Sequence, residues 1–344
     1  MNAPAFLLAA GFGTRMRPLT EHRPKPLVPL CGKPLADYSV ALLEAHGFHA
    51  AVVNAHHLSE KIEEWVDSKS FKMHLLVESP SILGTGGGLR NAMPHLAEDF
   101  VVVNGDILST VDLGVLLRGV KALGPGPAGA MALRTQREDE SYGIVASDIG
   151  GCVVDLVGLA QATPAGAVDR STHFTGIHAL NRAALQQVPA GEACIVRTAY
   201  CDMVPKRQVA AHRHDGLWVD VGNPANYLEA NLRALAGDFD TALDPLQDAG
   251  WALSQGRETG SPDHINLHRS SRIMAPFWIG PGATIEADVE LGPGCIIGEG
   301  AVIRSGTKMR NSVVWDKAEV AKDSTLETAI VHDGGVLKIP SISR

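Results

Sequence analysis

The 344-residue sequence has little that would suggest a secreted, membrane-bound or nucleic-acid-binding protein. Its five cysteines are odd in number and form no C-x-x-C pair, which excludes a disulfide framework and a cysteine zinc site. The net charge of −8 argues against a nucleic-acid or anionic-membrane partner, because both require a basic surface. No apolar run approaches the ~20 residues of a membrane span, and no basic segment precedes the first apolar run. We therefore expect a cytoplasmic protein with reduced thiols.

What is present is the composition of a globular protein with many turns: 45% hydrophobic residues, 20% charged residues and 36 glycines. A chain of this length is too long for one small core, and it predicts a large domain followed by a smaller one.

Strand-like and helix-like segments alternate after the N-terminus. Asp37–His46 has helical spacing with Asp37 as its N-cap, and Leu58–Val66 is a second amphipathic helix. Ala50–Asn54 and Met73–Val77 are predicted strands. This alternation predicts an α/β fold with a Rossmann-like, mainly parallel sheet and helices on both faces, in which ligands bind at the carboxyl ends of the strands.

The most informative stretch begins with the apolar run Ala5–Ala10, a predicted buried strand that breaks into Gly11-Phe12-Gly13-Thr14-Arg15. Glycines at a strand end let backbone N–H groups approach a polyanion. The two prolines of Pro24-Lys25-Pro26 restrict the backbone, so that the lysine is aimed. The stretch contains four cations, Arg15, Arg17, Arg23 and Lys25. Neither a Walker loop nor a Gly-x-Gly-x-x-Gly fingerprint is present. The glycines together with the four cations nevertheless predict a phosphate site, with a plain turn as the alternative.

Two aspartates lie in or directly after short apolar strands. Phe100–Asp106 is a run of β-branched residues that ends on Asp106, and Leu217–Gly222 contains Asp220. A lone aspartate at a strand end is usually a cap or turn residue. Two carboxylates brought together at a triphosphate would instead suit Mg²⁺, which needs oxygen ligands.

The C-terminal part has one apolar residue every six positions, namely Ile279, Ile285, Leu291, Ile297, Ile303, Met309 and Trp315. The spacing predicts a triangular parallel β-helix, with a simple two-sheet tail as the alternative. A helix predicted from Asn223 to Ala236 ends the first domain, which gives a first domain at residues 1–236, a connector at 237–272 and the β-helix at 273–344. Because a solenoid cannot close its own ends, capping or assembly into a homo-oligomer is expected.

The N-terminal motif resembles the signature of the sugar-1-phosphate nucleotidyltransferases, enzymes that join an NTP to a sugar 1-phosphate and release pyrophosphate. The resemblance rests on Leu8-Ala9-Ala10-Gly11-x-Gly13-Thr14-Arg15-x-x-Pro18-Leu19-Thr20, Pro24-Lys25-Pro26 and Gly32-Lys33-Pro34-Leu35. Asn104-Gly105-Asp106 and Trp218-Val219-Asp220-Val221-Gly222 resemble the metal-binding segments of that family. The hexapeptide-like repeat resembles the left-handed β-helix that follows some of these catalytic domains.

The resemblance implies a role for each motif. Arg15 steadies the leaving pyrophosphate, Lys25 bridges toward the α-phosphate, and two carboxylates, Asp106 and Asp220, hold Mg²⁺. The implied nucleotide-binding residues are Ala10, Gly11, Gly13, Thr14, Gly86 and Gly87, of which the last two lie in a glycine-rich turn before a helix predicted at Leu89–Leu96. The implied sugar-binding residues are Asn104, Gly143 and Thr175.

The resemblance leaves the substrates open. The glycine-rich form of Leu83–Leu89 looks most like that of mannose-1-phosphate guanylyltransferases, which is our lead expectation, but it is also similar to that of N-acetylmuramate-1-phosphate uridylyltransferases and leaves the base open. Where many members have a Glu-Lys-Pro element, this chain has Val157–Ala162, as in uridylyltransferases of the muramate type. A uridylyltransferase acting on a hexosamine or muramate-type 1-phosphate is therefore the alternative. A non-catalytic regulatory subunit is a further one, disfavoured because the chain keeps Arg15, Lys25, Asp106 and Asp220 together.

Overall fold

The computed structural model describes residues 3–239 and 250–340, and the chain forms two compact units. The first, which we call the sheet unit, comprises Met1–Phe12 and Tyr38–Trp218. The second, the solenoid unit, comprises Gly13–Asp37 and Val219–Arg344. Each unit is thus built from two separate stretches, and the cation-rich N-terminal segment belongs with the C-terminal part of the chain. The domain boundaries at residues 236 and 272 stay a prediction.

A seven-stranded sheet forms the centre of the sheet unit. Its strands are β1 (Ala3–Leu8), β2 (Ala50–Ala55), β3 (Lys72–Val77), β4 (Leu96–Asn104), β5 (Gly129–Thr135), β6 (Thr172–Asn181) and β7 (Val209–Arg213). They are ordered β7-β5-β6-β4-β1-β2-β3. Strand β6 runs antiparallel to β4 and β5, whereas the other neighbouring pairs are parallel. The predicted mainly parallel sheet is confirmed.

The principal helices are α1 (Leu35–Ala45), α2 (Ser59–Asp67), α3 (Gly84–Ala92), α4 (Leu113–Ala122) and α5 (Pro224–Leu235), the last in the solenoid unit. Helix α1 begins before Asp37, so the prediction of Asp37 as its N-cap is wrong. A hairpin of Pro29–Leu30 with Lys33–Pro34 leads directly into the helix. Asp37 lies in the first turn of the helix, where its carboxylate interacts favourably with the positive end of the helix dipole.

Helix α3 begins at Gly84 rather than at Leu89, so the predicted glycine turn is wrong: the glycines form the first turns of the helix itself. Glycine weakens a helix by about 1 kcal/mol per residue relative to alanine. Burial offsets that cost in α3, because Gly86, Gly87 and Gly88 are all buried. Sequence propensity pointed to a turn, and tertiary packing overrides it.

Shorter elements complete the sheet unit. An antiparallel sheet contains Val145–Asp148, Val153–Leu156, Ala160–Gln161 and Val168–Asp169. Arg182–Leu185 and Cys201–Met203 are single helical turns. The three-residue strand Ile107–Ser109 follows Asp106 in this unit. The strand Trp218–Asp220, which contains Asp220, lies where the sheet unit ends at Trp218 and the solenoid unit resumes at Val219.

The core of the sheet unit contains a fully buried histidine, His178 on β6, whose Nδ1 lies 2.7 Å from the hydroxyl of Tyr200. Burial lowers the pKa of His178 to about 3, below the ordinary value of 6.5. The unfolded chain therefore binds a proton that the folded chain rejects, and folding stability falls as the pH drops from about 6.5 toward 3.

We expect the unfolding free energy of the native protein to fall by about 2 kcal/mol more between pH 7.5 and pH 5 than that of His178→Gln, because one pKa unit corresponds to about 1.4 kcal/mol. Urea denaturation at the two pH values measures the difference. His264→Gln, which replaces an exposed histidine, is the control and should keep the native pH dependence. Equal pH dependence in all three proteins would contradict the assignment to His178.

The solenoid unit contains a parallel β-helix with three faces. Each face is a sheet of short parallel strands. The first face contains Phe277–Ile279, Cys295–Ile297, Ser312–Val314 and Ala329–His332. The second contains Asn266–Leu267, Thr284–Ile285, Val302–Ile303 and Glu319–Val320, and the third contains Arg272–Ile273, Glu290–Leu291, Lys308–Arg310 and Thr325–Glu327. An antiparallel pair, Trp251–Ser254 with Arg257–Thr259, continues the first face at one edge, and Gly335–Lys338 does so at the other. These hairpins supply the expected capping of this face. The described part of the predicted connector is therefore partly made of strands.

Six of the seven repeat positions point into the β-helix core, and the seventh, Trp315, does not. Ile279 pairs with Ile297, but Ile297 pairs with Val314, so this rung is one residue shorter than the one before it. Val314 takes the inward position, and the prediction for Trp315 is wrong. The apolar column continues with Val320, Leu326 and Val331, which the six-residue count missed.

Among residues 3–239 and 250–340, no helix has the length and apolar character needed to cross a membrane.

Candidate functional site

The carboxyl edge of the central sheet gathers the sequence motifs of the sheet unit. At the end of β1, Leu8 is in register with Asn54 of β2 and Asn104 of β4. The chain therefore leaves the sheet at this edge three times in neighbouring strands. The N–H of Gly105 donates to the carbonyl of Leu8 at 2.9 Å, which fixes the turn that carries Asp106. This is the edge at which open α/β sheets bind ligands.

A buried hydrogen-bond network fixes the first residues after β1. The N–H of Ala9 donates to Oδ1 of Asn54 at 2.9 Å, and Nδ2 of Asn54 donates to Oε1 of Glu78 at 2.7 Å. The other carboxylate oxygen of Glu78 accepts from the N–H of Leu83 at 2.7 Å, just before α3. Both side chains are almost fully buried. Asn54 and Glu78 thus link the glycine motif to the first turn of α3, a role that sequence reasoning missed.

The glycines of α3 allow a close backbone approach. A Cβ on Gly86 would lie 2.9 Å from the nitrogen of Ile195, and one on Gly87 would lie 2.1 Å from the carbonyl oxygen of Gly191. The N–H groups of both glycines donate to the carbonyl of Ala193, at 2.8 and 3.3 Å. Packing against residues 191–195 therefore explains why these positions are glycine, and it uses the N–H groups of two of the predicted nucleotide-binding residues.

In the solenoid unit, the second glycine of the motif is held in a left-handed turn. Gly13 has a φ of 61°, and a Cβ there would lie 3.0 Å from Cγ2 of Thr20 and 3.1 Å from Cβ of Lys25. The hydroxyl of Thr20 donates to the carbonyl of Gly13 at 2.8 Å. The motif therefore folds back on itself, and Lys25 lies beside the glycine turn with little of its surface exposed.

Arg15 and Asp220 also come together within the solenoid unit. A Cβ on Gly222 would lie 3.1 Å from Oδ2 of Asp220 and 3.5 Å from Nη1 of Arg15. A guanidinium and a carboxylate thus flank one glycine, where any side chain would separate them. This places the cation assigned to pyrophosphate next to one of the carboxylates assigned to Mg²⁺.

The two proposed metal ligands fit a hard divalent cation. Asp106 and Asp220 are both partly exposed and offer only oxygen donors. In the described ranges, 3–239 and 250–340, no three His, Cys, Asp or Glu side chains form a metal-binding group. Carboxylate oxygens are suitable ligands for Mg²⁺, which commonly takes its other ligands from substrate phosphates and water.

The predicted sugar-binding residues differ in their exposure and in their contacts within the protein. Gly143 is exposed, and Asn104 lies against Gly176, whose Cβ would be 2.7 Å from its Nδ2. The hydroxyl of Thr175 is buried and donates to the carbonyl of Ala132 at 2.9 Å. Its own carbonyl accepts from Nε1 of Trp218 at 2.9 Å. The Thr175 hydroxyl therefore makes its hydrogen bond within the protein.

A nearly buried ion pair lies near the ring of Tyr142, the residue before Gly143, and was not predicted from the sequence. Nη1 of Arg134 donates to both carboxylate oxygens of Glu140, at 3.0 and 2.7 Å, and lies 3.3 Å from Nε2 of His173. The ring of Tyr142 stacks on His173 with a centroid distance of 4.5 Å. Burial opposes ionisation of Glu140, but hydrogen bonds from the Arg137 N–H and from Arg134 outweigh it and hold its pKa below the usual value. The signal in the sequence was a single arginine in an otherwise apolar strand.

The surface around Gly143 is apolar in the region that replaces the Glu-Lys-Pro element. A Cβ on Gly143 would lie 2.6 Å from Cγ1 of Val157, so this valine packs closely against one side of the glycine. Val157, Leu159 and Ile144 are all exposed large hydrophobic residues.

Comparison with known proteins identifies the family of this chain. Residues 4–237 match the family model described as nucleotidyl transferase, and residues 270–305 match the bacterial transferase hexapeptide model. The chain belongs to the nucleotidyl transferase family, as predicted, and the prediction of an enzyme is confirmed. The hexapeptide match agrees with the β-helix.

The relatives carry different substrate names. A UTP–glucose-1-phosphate uridylyltransferase of Synechocystis is 29% identical over 95% of this chain and 86% of its own length. An Arabidopsis thaliana mannose-1-phosphate guanylyltransferase 1 is 27% identical over 95% and 85%. An N-acetylmuramate α-1-phosphate uridylyltransferase of Neisseria meningitidis is 31% identical over 68% and 98%. The crystal structure of HddC from Yersinia pseudotuberculosis matches 67% of this chain and 98% of its own with a TM-score of 0.54 at 22% identity, which shows a shared fold.

Proposed function

We propose that the protein transfers a nucleotidyl group from an NTP to a sugar 1-phosphate, giving an NDP-sugar and pyrophosphate. The observation that carries this proposal is the fixed exit of the chain from β1, where the N–H of Ala9 is held by Asn54. Exposed Gly11 follows, and bare backbone N–H groups at a strand end suit a triphosphate. The residues proposed to bind it are Ala10, Gly11, Gly13 and Thr14, with Gly86 and Gly87 shaping the first turn of α3.

The reaction follows from charge. A phosphate oxygen of the sugar 1-phosphate attacks the α-phosphorus of the NTP, in line with the departing pyrophosphate. Both reactants are anionic, so cations must reduce their repulsion: Arg15 steadies the pyrophosphate and Lys25 reaches the α-phosphate. The attacking phosphate is already ionised at neutral pH, so no general base is needed. Mg²⁺, held by Asp106 and Asp220, would add positive charge at the phosphates.

We propose GTP and mannose 1-phosphate as the lead substrates, supported by the glycine-rich form of Leu83–Leu89 and by the name of the Arabidopsis relative. The alternative is a uridylyltransferase acting on a hexosamine or muramate-type 1-phosphate. It is favoured by the apolar surface of Ile144, Val157 and Leu159 and by the name of the Neisseria relative. The name of the Synechocystis relative supports UTP as the nucleotide but gives glucose 1-phosphate as the sugar. The sugar would contact Asn104, Gly143 and the backbone of Thr175.

Pyrophosphate release with Mg²⁺, measured for the common NTPs against a panel of sugar 1-phosphates, tests both the proposed activity and the proposed substrates. Release with one pairing confirms the activity and identifies the substrates. Release with UTP alone would select the alternative. A folded protein that is silent across the whole panel would overturn the proposed function in favour of a regulatory subunit.

Gly11→Ala separates nucleotide contact from folding. A Cβ on Gly11 meets no atom within 4 Å, so the melting temperature should stay unchanged. If the triphosphate lies on this backbone, the methyl group displaces it, and we expect the KM for NTP to rise about tenfold while the KM for the sugar 1-phosphate changes little. Gly114→Ala in α4 is the control and should keep native kinetics. An unchanged KM for NTP in Gly11→Ala would remove Gly11 from the nucleotide site.

We further propose that the solenoid mediates homo-oligomerisation and that the enzyme works in the cytoplasm. None of the five cysteines, all of which lie in the described residues, forms a disulfide bond, which suits a reducing compartment. Light scattering coupled to size-exclusion chromatography measures the assembly state.

A further inference from the structure

Arg23 joins the cation-rich segment to the β-helix. Its Nη1 lies 2.7 Å from Oδ1 of Asp316, while its Nη2 and Nε lie 3.1 and 3.2 Å from the two carboxylate oxygens of Asp333. The arginine side chain is only 18% exposed. One guanidinium therefore bridges two consecutive turns of the β-helix with paired, charge-assisted hydrogen bonds. Lys25, assigned to the α-phosphate, follows two residues later.

The indole ring of Trp315 packs against the guanidinium of Arg23. The Cζ of Arg23 lies 4.6 Å from the centroid of the Trp315 ring, a cation–π distance. The shortened rung that removes Trp315 from the inward column leaves it 1% exposed on the outside of the β-helix. Its Nε1 donates to the hydroxyl of Tyr227 at 3.0 Å, and that hydroxyl donates to the carbonyl of Pro29.

The segment is held a second time beyond the lysine. The N–H of Cys31 donates to Oδ1 of Asn231 in α5 at 3.0 Å. Gly32 lies against Trp278, because a Cβ there would come within 2.2 Å of the indole ring. Lys25 thus lies between two anchors, Arg23 and residues 29–32, and two prolines restrict the backbone that joins them.

We propose that Arg23 is a positioning residue, through which the β-helix holds Lys25 in place for the attack on the α-phosphate. This inference rests on the proposed function. It assigns the β-helix a part in turnover as well as in assembly. Because a misplacement of about 1 Å can cost about 100-fold in rate, loss of the anchor should affect turnover more than nucleotide binding.

Arg23→Gln tests this proposal, with Arg304→Gln as a matched control. Arg304 also bridges two carboxylates of the β-helix, Glu286 and Glu319, each at 2.7 Å, but it lies outside the segment. We expect kcat of Arg23→Gln to fall at least tenfold while the Kd for NTP changes less than threefold, and Arg304→Gln to keep native kinetics. Arg23→Lys, which keeps the charge, should recover part of kcat. A kcat within twofold of native in Arg23→Gln, or an equal loss in Arg304→Gln, would overturn the proposal.

A double-variant cycle with Asp316→Asn gives a second test. If the pair acts as one anchor, Arg23→Gln together with Asp316→Asn should lower kcat no further than Arg23→Gln alone. Losses that multiply would show independent effects and overturn the shared anchor.

Amide hydrogen exchange distinguishes failure of this inference from failure of the proposed function, since it needs no turnover. Exchange at residues 27–31 should be faster in Arg23→Gln than in the native protein and unchanged in Arg304→Gln. Unchanged exchange in Arg23→Gln would overturn the anchor even if the native enzyme is active. A native protein that releases no pyrophosphate would overturn the proposed function, whatever the exchange shows.

Discussion

Asp106→Ala and Asp220→Ala should each lower pyrophosphate release about 10³-fold, the scale of losing a principal electrostatic contact to the transition state. Each removes one of the two carboxylates proposed to hold Mg²⁺, so the charge that offsets repulsion between two phosphates is lost. Both side chains are partly exposed, so the melting temperature should change little. Initial rates at saturating Mg²⁺, together with the melting temperature, provide the measurement.

The control for these variants is Asp67→Ala, which removes an exposed aspartate at the end of α2 and should keep the native rate. Titration with Mg²⁺ adds a separate check, since a metal ligand is distinguished by a raised metal requirement in Asp106→Asn or Asp220→Asn. Near-native rates in either alanine variant would remove that aspartate from the metal site.

Arg134→Met should destabilise the folded protein strongly. It leaves the carboxylate of Glu140, 17% exposed, without its ion-pair partner. Breaking a buried pair by removing one member costs about 3–5 kcal/mol, because the remaining charge is left uncompensated. Urea denaturation at pH 7 should show a loss of this size in the unfolding free energy.

The double variant Arg134→Met with Glu140→Met is the decisive comparison. Replacing a buried ion pair by apolar side chains of similar volume is often close to neutral. We therefore expect the double variant to recover most of the stability lost by Arg134→Met. Arg137→Met, at an exposed arginine nearby, should be neutral. A double variant as unstable as the single one would show that packing, rather than charge, accounts for the loss.

The fold was largely predictable because its signals are local. Periodicity or a capping residue predicts three of its elements directly. They are the apolar run that forms β1, the strand Ala50–Ala55 and the helix capped by Asn223. The start of α3 was not predictable, because five residues rich in glycine favour a turn until the backbone of residues 191–195 packs against them. Trp315 was misplaced because a rung can shorten by one residue without any change in the apolar count.

The candidate site was predictable only where it belongs to a continuous motif. The glycine loop, Lys25 and the two aspartates stand in recognisable stretches. Asn54, Glu78 and Arg134 do not, because the contacts of Asn54 with Ala9 and Glu78, and of Arg134 with His173, join residues 24 to 45 positions apart and form only when neighbouring strands pair. The sequence signal for each was a polar residue at the end of, or inside, an apolar strand, which by itself has many explanations.

The division of the chain into two interleaved units has a consequence for its biosynthesis. Residues 13–37 are translated before α5 and before the turns at Asp316 and Asp333, against which they pack, and Arg23 precedes Asp333 by 310 residues. The N-terminal glycine motif must therefore remain without these partners until the turn at Asp333 has been translated. A ribosome-bound chain that stops before Asp316 would lack the Arg23 anchor, so we expect nucleotide turnover to begin only after these turns have been synthesised.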